Sequence, residues 1–445
     1  MNRPESTEKS YGVSVYAAAA VAIGMVIGAG LFKSPALVAA NAGGTGAFFG
    51  AWILGGILSI IGALCYAELA STYPSRGGDY QFLSRAYGRP LGFLFAWARF
   101  AVINTGSIAL LGYVLGDYLN SFINLGPYGS ALYATAVVIA LTLLNLRSRS
   151  AGIGAQSGLT LVLILAVLSL GVLGLVLVLQ GQAPLDARPL GSSTLTGFGS
   201  AMVFVMLAFG GWTEIATLST EVRDRRHGML KALVLSMTAV TLLYLIINWA
   251  LWRGLGLSGL ADSAAPAADL VAAALGEWAR IAIILVVSVA VITSINATIL
   301  VGARTTFAAA ADWPKLDFLG QWESERGSPQ AAIAAQGMVA IALIGLGAIT
   351  REGFATLVDF TAPVYWLFIV LSGIAVIRLR QRDPQRERPY QVPLYPWVPL
   401  AFIIAGLFVL WSSINYVRIG GLVGLGILAV GVVLMWWIRE PEASA

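Results

Sequence analysis

The chain reads as an all-α integral membrane protein of twelve transmembrane helices, two of them broken at mid-length. Three observations predict this. Apolar residues make up 58% of the 445 positions and charged residues only 11%, against roughly 45–50% and 25% in soluble domains. Twelve apolar runs approach or exceed the ~20 residues needed to cross a hydrocarbon layer of about 30 Å. Two of these runs carry small residues at their centre, Gly28-Ala29-Gly30 and Gly210-Gly211. Unpaired backbone amides and carbonyls cost several kcal/mol each in lipid, so a broken helix persists only where protein, water or a bound group satisfies it.

The first run, 13–39, contains Gly28-Ala29-Gly30 and reads as two half-helices. Uninterrupted spans follow at 46–71, 90–119, 129–146 and 152–180. The sixth, 197–222, is broken at Gly210-Gly211, and spans at 229–253, 277–305, 331–349, 354–378, 395–416 and 419–438 complete the set. Tails 1–12 and 439–445 flank them. Met1 to Tyr11 is polar and mixed in charge, so no cleaved signal peptide is expected.

Positive charge near span ends is retained in the cytoplasm. With the N-terminus inside, cytoplasmic segments hold 20 of the 27 Lys and Arg residues, external loops hold five, and Lys33 and Arg99 lie within spans. Both tails are therefore expected in the cytoplasm, in a multi-pass protein of a bacterial inner membrane. Topology accounts for the net charge of +5, and no contiguous basic surface suggests a nucleic-acid partner.

Catalytic material is sparse. One histidine, His227, falls in the basic loop after the sixth span, and the lone Cys65 lies inside the second, where it reads as a packing residue. Zinc-binding H-E-x-x-H, paired C-x-x-C, G-x-S-x-G and phosphate-cradling glycine motifs are all missing from the sequence. Neither an enzyme, nor an ATP-driven pump, nor a resident metal or cofactor is expected.

The breaks carry the chemistry. Glycine lets the backbone leave the helix and lets a ligand approach its amides. A half-helix opening near Leu31 presents free N–H groups and the positive end of its dipole, which suits a carboxylate. Carbonyls closing the preceding half-helix, from Ile23 to Ile27, and those of Leu207 to Phe209 suit an ammonium group. Together they describe a receptor for a zwitterion, and paired breaks of this kind mark a midplane binding site.

At these residues the chain resembles the amino acid–polyamine–organocation superfamily, and within it the L-type amino acid transporters. The resemblance spans nearly the whole chain. It rests on Ile27-Gly28-Ala29-Gly30-Leu31-Phe32 with Ser34-Pro35, and on Cys65-Tyr66-Ala67-Glu68-Leu69 through Gly77-Gly78-Asp79-Tyr80. It continues in Ala208-Phe209-Gly210-Gly211-Trp212 with Glu221-Val222, in Ser294-Ile295-Asn296, and in Arg388-Pro389-Tyr390 through Pro396. The resemblance implies a LeuT-like fold: a 5+5 inverted repeat at 13–180 and 197–378, then two peripheral helices within 395–438. It also implies alternating access, with substrate held between the first and sixth helices. By matching position, the amides of Gly28, Ala29 and Gly30 would take the substrate carboxylate, and carbonyls near Ile23 and Phe209 its ammonium. Thr213 matches a position that often contacts substrate.

Departures from the family pattern are informative. Ala29 stands where many relatives have Ser, and Leu207 stands where an aromatic gate is common, leaving Phe209 or Trp212 as the nearest lids. Leu163 replaces a fifth-helix Lys found in some relatives. A coupling Na+ would need oxygen ligands, which carbonyls near Met25 and Gly28 and the hydroxyls of Thr293 or Ser294 offer; a coupled H+ would need an acid.

Ionisable groups in spans are costly and usually face a cavity or a partner. Glu214 is the leading candidate, for recognising a cationic substrate or carrying a proton, and its structural alternative is an ion pair with Arg99. Glu221 is an equally placed partner for Arg99. Glu68, Glu221 and Asp359 read as structural anchors, Glu68 and Glu221 by pairing with loop arginines at the cytoplasmic ends of their helices, and the cluster Arg378, Arg380, Arg382, Arg386 and Arg388 reads as a topology and lipid-headgroup anchor. The expected activity is secondary transport of a neutral L-amino acid. The alternatives are a cationic amino acid or polyamine carrier using Glu214, and a non-transporting membrane scaffold or receptor. External cysteine is missing, so no disulfide-linked glycoprotein subunit is expected.

Overall fold

The computed structural model describes residues 14–28, 30–75, 77–147, 153–181, 184, 191–213, 228–310, 312–321, 329–350, 353–416 and 420–438. Glu214, Glu221, His227 and Ala29 lie outside the described residues, as do the side chains of Met25 and Leu163. All regular structure among the described residues is helical.

Hydropathy places the helices, and glycine, proline and polar residues end them. The first span is two helices, α1 (Val15–Val26) and α2 (Gly30–Ala42). Next come α3 (Thr45–Thr72), the short α4 (Asp79–Tyr87), and a third span built from α5 (Arg89–Ala98), a wide turn at Arg99–Ile103, and α6 (Asn104–Phe122). α7 (Gly129–Arg147) and α8 (Ile153–Leu179) follow. α9 (Leu195–Ala208) starts where the Thr194 hydroxyl accepts the Gly197 amide, an N-cap. The remaining elements are α10 (Gly228–Asp262), α11 (Pro266–Leu275), α12 (Glu277–Ala310), α13 (Gln330–Thr350), α14 (Gly353–Arg382), α15 (Trp397–Tyr416) and α16 (Gly420–Ile438).

Among the described residues, eight helices are long and apolar enough to cross a membrane, and four shorter apolar helices accompany them. Among the described residues, apolar runs read from sequence agree with helix ends to within a few residues except at α10, α14 and α12, the last of which runs on to Ala310; the end of the sixth run, 222, lies outside the described residues. α10 and α14 continue to Asp262 and Arg382 with more polar residues. Neither α4 nor α11 was expected. Both are too short to span, and α11 begins at Pro266, whose missing N–H costs nothing at a first helical position.

Packing sorts the helices into two groups. α1, α2, α3, α9 and α10 pack on one another, while α6 packs on α7, α12 and α13. Gly116 permits the close approach of α6 to α7, since a Cβ there would overlap the Ser130 carbonyl. α14 joins α6, α13, α15 and α16.

Basic residues gather at one end of the helices, here called the basic face, and the structure corrects their expected role. Arg380 donates from Nε to Glu68 Oε1 at 2.7 Å and from a second nitrogen to Oε2. Arg388 lies 3.7 Å from the same carboxylate, and the Val392 amide donates to it at 2.7 Å. Arg386 donates to the Thr72 carbonyl and stacks over Tyr73. These arginines turn inward because Glu68 is only 3% exposed, and a buried carboxylate must be paired. Glu68 thus has the arginine pairing expected of it. The Tyr73 hydroxyl donates to Asp383 at 2.9 Å; burial and this bond push its pKa above the ordinary tyrosine value.

Candidate functional site

α1 ends at Val26 and α2 begins at Gly30, so the first span is interrupted at Ile27 and Gly28. Hydrogen bonding changes through the break. Ile27 N–H donates to Ile23 O at 2.7 Å, Gly28 N–H to Val26 O at 2.7 Å, and Leu31 N–H to Gly28 O at 3.2 Å. The sixth span is interrupted after Ala208. There Gly210 N–H donates to Leu207 O at 3.0 Å, and Gly211 adopts φ +99°, a left-handed conformation that only glycine takes without strain. Trp212 and the buried Thr213 follow in a tight turn.

The two breaks touch. A Cβ on Gly30 would lie 3.2 Å from Ala208 Cα, so a larger residue at position 30 would press the two backbones apart. A tyrosine that sequence reading did not select joins them. Tyr244 of α10, fully buried, lies with its hydroxyl 2.7 Å from Ala208 O and 3.0 Å from Val26 O. Its single proton is shared between the carbonyls that close the two leading half-helices. Such carbonyls have no partner within their own helix, and at mid-membrane no bulk water replaces one.

Side chains around the break divide into two faces. Phe209 is fully buried and packs on Trp52 and Tyr244, with ring centroids 6.2 and 4.9 Å away. Trp212 packs on Tyr66 at 4.9 Å and Phe402 at 6.3 Å. Both rings therefore point into α3, α10 and α15. Gly55 and Gly62 on α3 make the room, since a Cβ at either would collide with α9 or Trp212 side-chain atoms. Leu207, Gly210 and Gly211 remain only half-buried.

α6 touches α2 and presents one stripe. Ser107 and Leu111 are half-buried among fully buried neighbours, and Tyr118, seven residues beyond Leu111, reaches the first span by donating to Phe32 O at 3.0 Å. Seven residues are close to two helical turns, so Leu111 and Tyr118 share a face. The segment 103–111 holds no ionisable residue, and the Ser107 hydroxyl is bonded to Ile103 O at 2.8 Å.

On α12, Ser294 Oγ lies 3.6 Å from where a Gly28 Cβ would stand, and donates to Ala290 O. Thr293 is not brought there; it donates to Val289 O, one turn back on the same helix. Arg99 is buried at the wide turn, 6.0 Å over the Phe95 ring. Cys65 is buried and reduced. Among the described residues no cluster of His, Cys, Asp and Glu could hold a metal ion.

An all-helical membrane protein with two broken helices meeting at a buried backbone junction belongs to the class of solute carriers. The description "Amino acid permease" belongs to a family model matching residues 13–435. The chain is a member of that family, within the amino acid–polyamine–organocation superfamily, and is a transporter and not an enzyme. It is similar to the serine/threonine exchanger SteT of Bacillus subtilis, 27% identical over 402 residues covering 88% of each chain. It is also similar to the b(0,+)-type amino acid transporter 1 of Mus musculus, 27% identical over 420 residues that cover 92% of this chain and 84% of the relative. The cystine/glutamate transporter of Homo sapiens is 27% identical over 448 residues covering 98% of this chain and 88% of the relative.

Proposed function

We propose that this protein is a secondary transporter of neutral L-amino acids working by alternating access. In this reading it has twelve spans in a LeuT-like arrangement, with both termini in the cytoplasm as the Lys and Arg distribution predicts. Contact between the two helix breaks at Gly30 and Ala208 carries the assignment. The α-carboxylate would meet the amides that open α2, from Gly30 onward, where the helix dipole favours an anion. The α-ammonium would meet carbonyls at the ends of α1 and α9, such as those of Ile27 and Phe209. A Gly28 N–H already bonded to Val26 O would have to be released to join the carboxylate site.

The side chain would lie toward Leu207, Ser107 and Leu111. A wall without ionisable residues favours neutral side chains of small or medium size, because an unpaired charge buried against it would cost several kcal/mol. One relative, named as a serine/threonine exchanger, supports exchange as the mode. Of the oxygen ligands expected for a coupling Na+, Ser294 beside Gly28 is the one whose placement suits the task.

Radiolabelled amino acid uptake into reconstituted vesicles tests this reading. Saturable uptake of neutral amino acids, accelerated by unlabelled amino acid inside, is expected. Absence of saturable flux for every amino acid tried would refute it. Uptake of arginine or putrescine that is lost in Glu214→Gln would favour the cationic alternative. Dependence on Na+ that disappears in Ser294→Ala would establish sodium coupling.

A further inference from the structure

On the face opposite the basic one, two adjacent residues of α2 and two of α6 meet the start of α11. Lys33 Nζ lies 2.7 Å from Asp117 Oδ2 and donates to Ala264 O at 3.0 Å. One residue away, the Tyr118 hydroxyl donates to Phe32 O at 3.0 Å and accepts the Ala267 amide at 3.4 Å. Two parallel polar links therefore join the same three elements. On its other side α11 is held by Asp269, 3.4 Å from Arg280 of α12.

This junction crosses the boundary between the two helix groups. α2 packs on α9, which it meets at Gly30, and on α10, whereas α6 packs on α7, α12 and α13. Any rocking of one group on the other must stretch the Lys33–Asp117 pair. Side chains 13% and 20% exposed make it stronger than a surface pair. Yet it is a point contact, broken by a small displacement, unlike the extended apolar packing beside it.

We propose that Lys33, Asp117 and Tyr118 form a clasp that keeps the mouth on this face closed, and that the clasp opens and recloses in each transport cycle. It rests on the alternating-access reading above. Lys33 and Asp117 are positioning residues that set the balance between the two open forms, and neither touches substrate.

The single native cysteine makes a direct test practical. In a Cys65→Ala background, a reporter Ser107→Cys is labelled with a membrane-impermeant thiol reagent from each side of oriented vesicles. Lys33→Met and Asp117→Asn should each raise labelling from the α11 side by about fivefold or more, the factor equivalent to ~1 kcal/mol at 1.4 kcal/mol per decade. Labelling from the basic face should fall in step, and the exchanged pair Lys33→Asp with Asp117→Lys should restore both rates. Unchanged labelling would overturn the clasp. So would faster labelling from both faces without restoration by the exchange, because that reports loss of fold. Uptake measured in vesicles of the unsubstituted protein separates the two ideas: no saturable flux there retires the transport reading, while the labelling response still reads the clasp.

Discussion

Replacing Tyr244 with Phe removes one oxygen and keeps the ring that packs on Trp52 and Phe209 at 5.6 and 4.9 Å. Two carbonyls, of Val26 and Ala208, then lose a shared donor. Val26 O keeps the Gly28 amide, so the loss falls mainly on Ala208 O. Leaving one buried acceptor unsatisfied costs about 1–3 kcal/mol. If the broken backbone is the receptor, that cost is paid in the geometry of the site. Substrate affinity should fall between about fivefold and about a hundredfold at 1.4 kcal/mol per decade. Equilibrium binding of a radiolabelled neutral amino acid to purified protein measures this, beside a melting curve. Wild-type affinity in a variant whose melting temperature alone has dropped would refute the reasoning, because Tyr244 would then be only a structural staple.

Other positions give separate tests. Gly30→Ala places a methyl 3.2 Å from Ala208 Cα; uptake should fall sharply while the melting temperature stays close to that of the parent, and normal uptake would contradict contact between the breaks. Gly116→Ala drives a Cβ into the Ser130 carbonyl, a backbone atom that cannot rotate away, and should lower stability by about 1–3 kcal/mol, read by thermal unfolding. Glu68→Gln leaves Arg380 and Arg388 facing a neutral group beneath the Val392 amide. It should destabilise by about 3–5 kcal/mol and reduce the yield of folded protein, whereas unaltered melting would show the pair to be dispensable.

Sequence reading succeeded where the governing physics is local. Hydropathy over a window of about 20 residues reports where a chain can lie in lipid, and span ends were legible to within a few residues for most helices. Both interruptions were visible because glycine is a local permission, as at Gly211 with its φ of +99°. Burial of Cys65 and arginine pairing of Glu68 were also legible, since an apolar run and a costly buried carboxylate each announce themselves. Less legible was the direction of side chains at the break. Phe209 and Trp212 read as lids, yet Gly55 and Gly62, about 150 residues earlier in the chain, leave space for both rings on the far side. Charges were harder still: Arg380, Arg386 and Arg388 looked like headgroup anchors until Glu68 and Thr72 were placed beneath them.

From sequence alone came the class, the membrane spans, the two breaks and the family resemblance, because each depends on composition or on neighbours within a few turns. Tertiary structure alone decided which groups meet. Tyr244 is 36 residues from Ala208 and 218 from Val26, and Lys33 is 231 residues from Ala264. In a bilayer a buried polar group must find a partner in protein, and with apolar residues on nearly every helix face, only the packing of one helix on another determines which partner it finds.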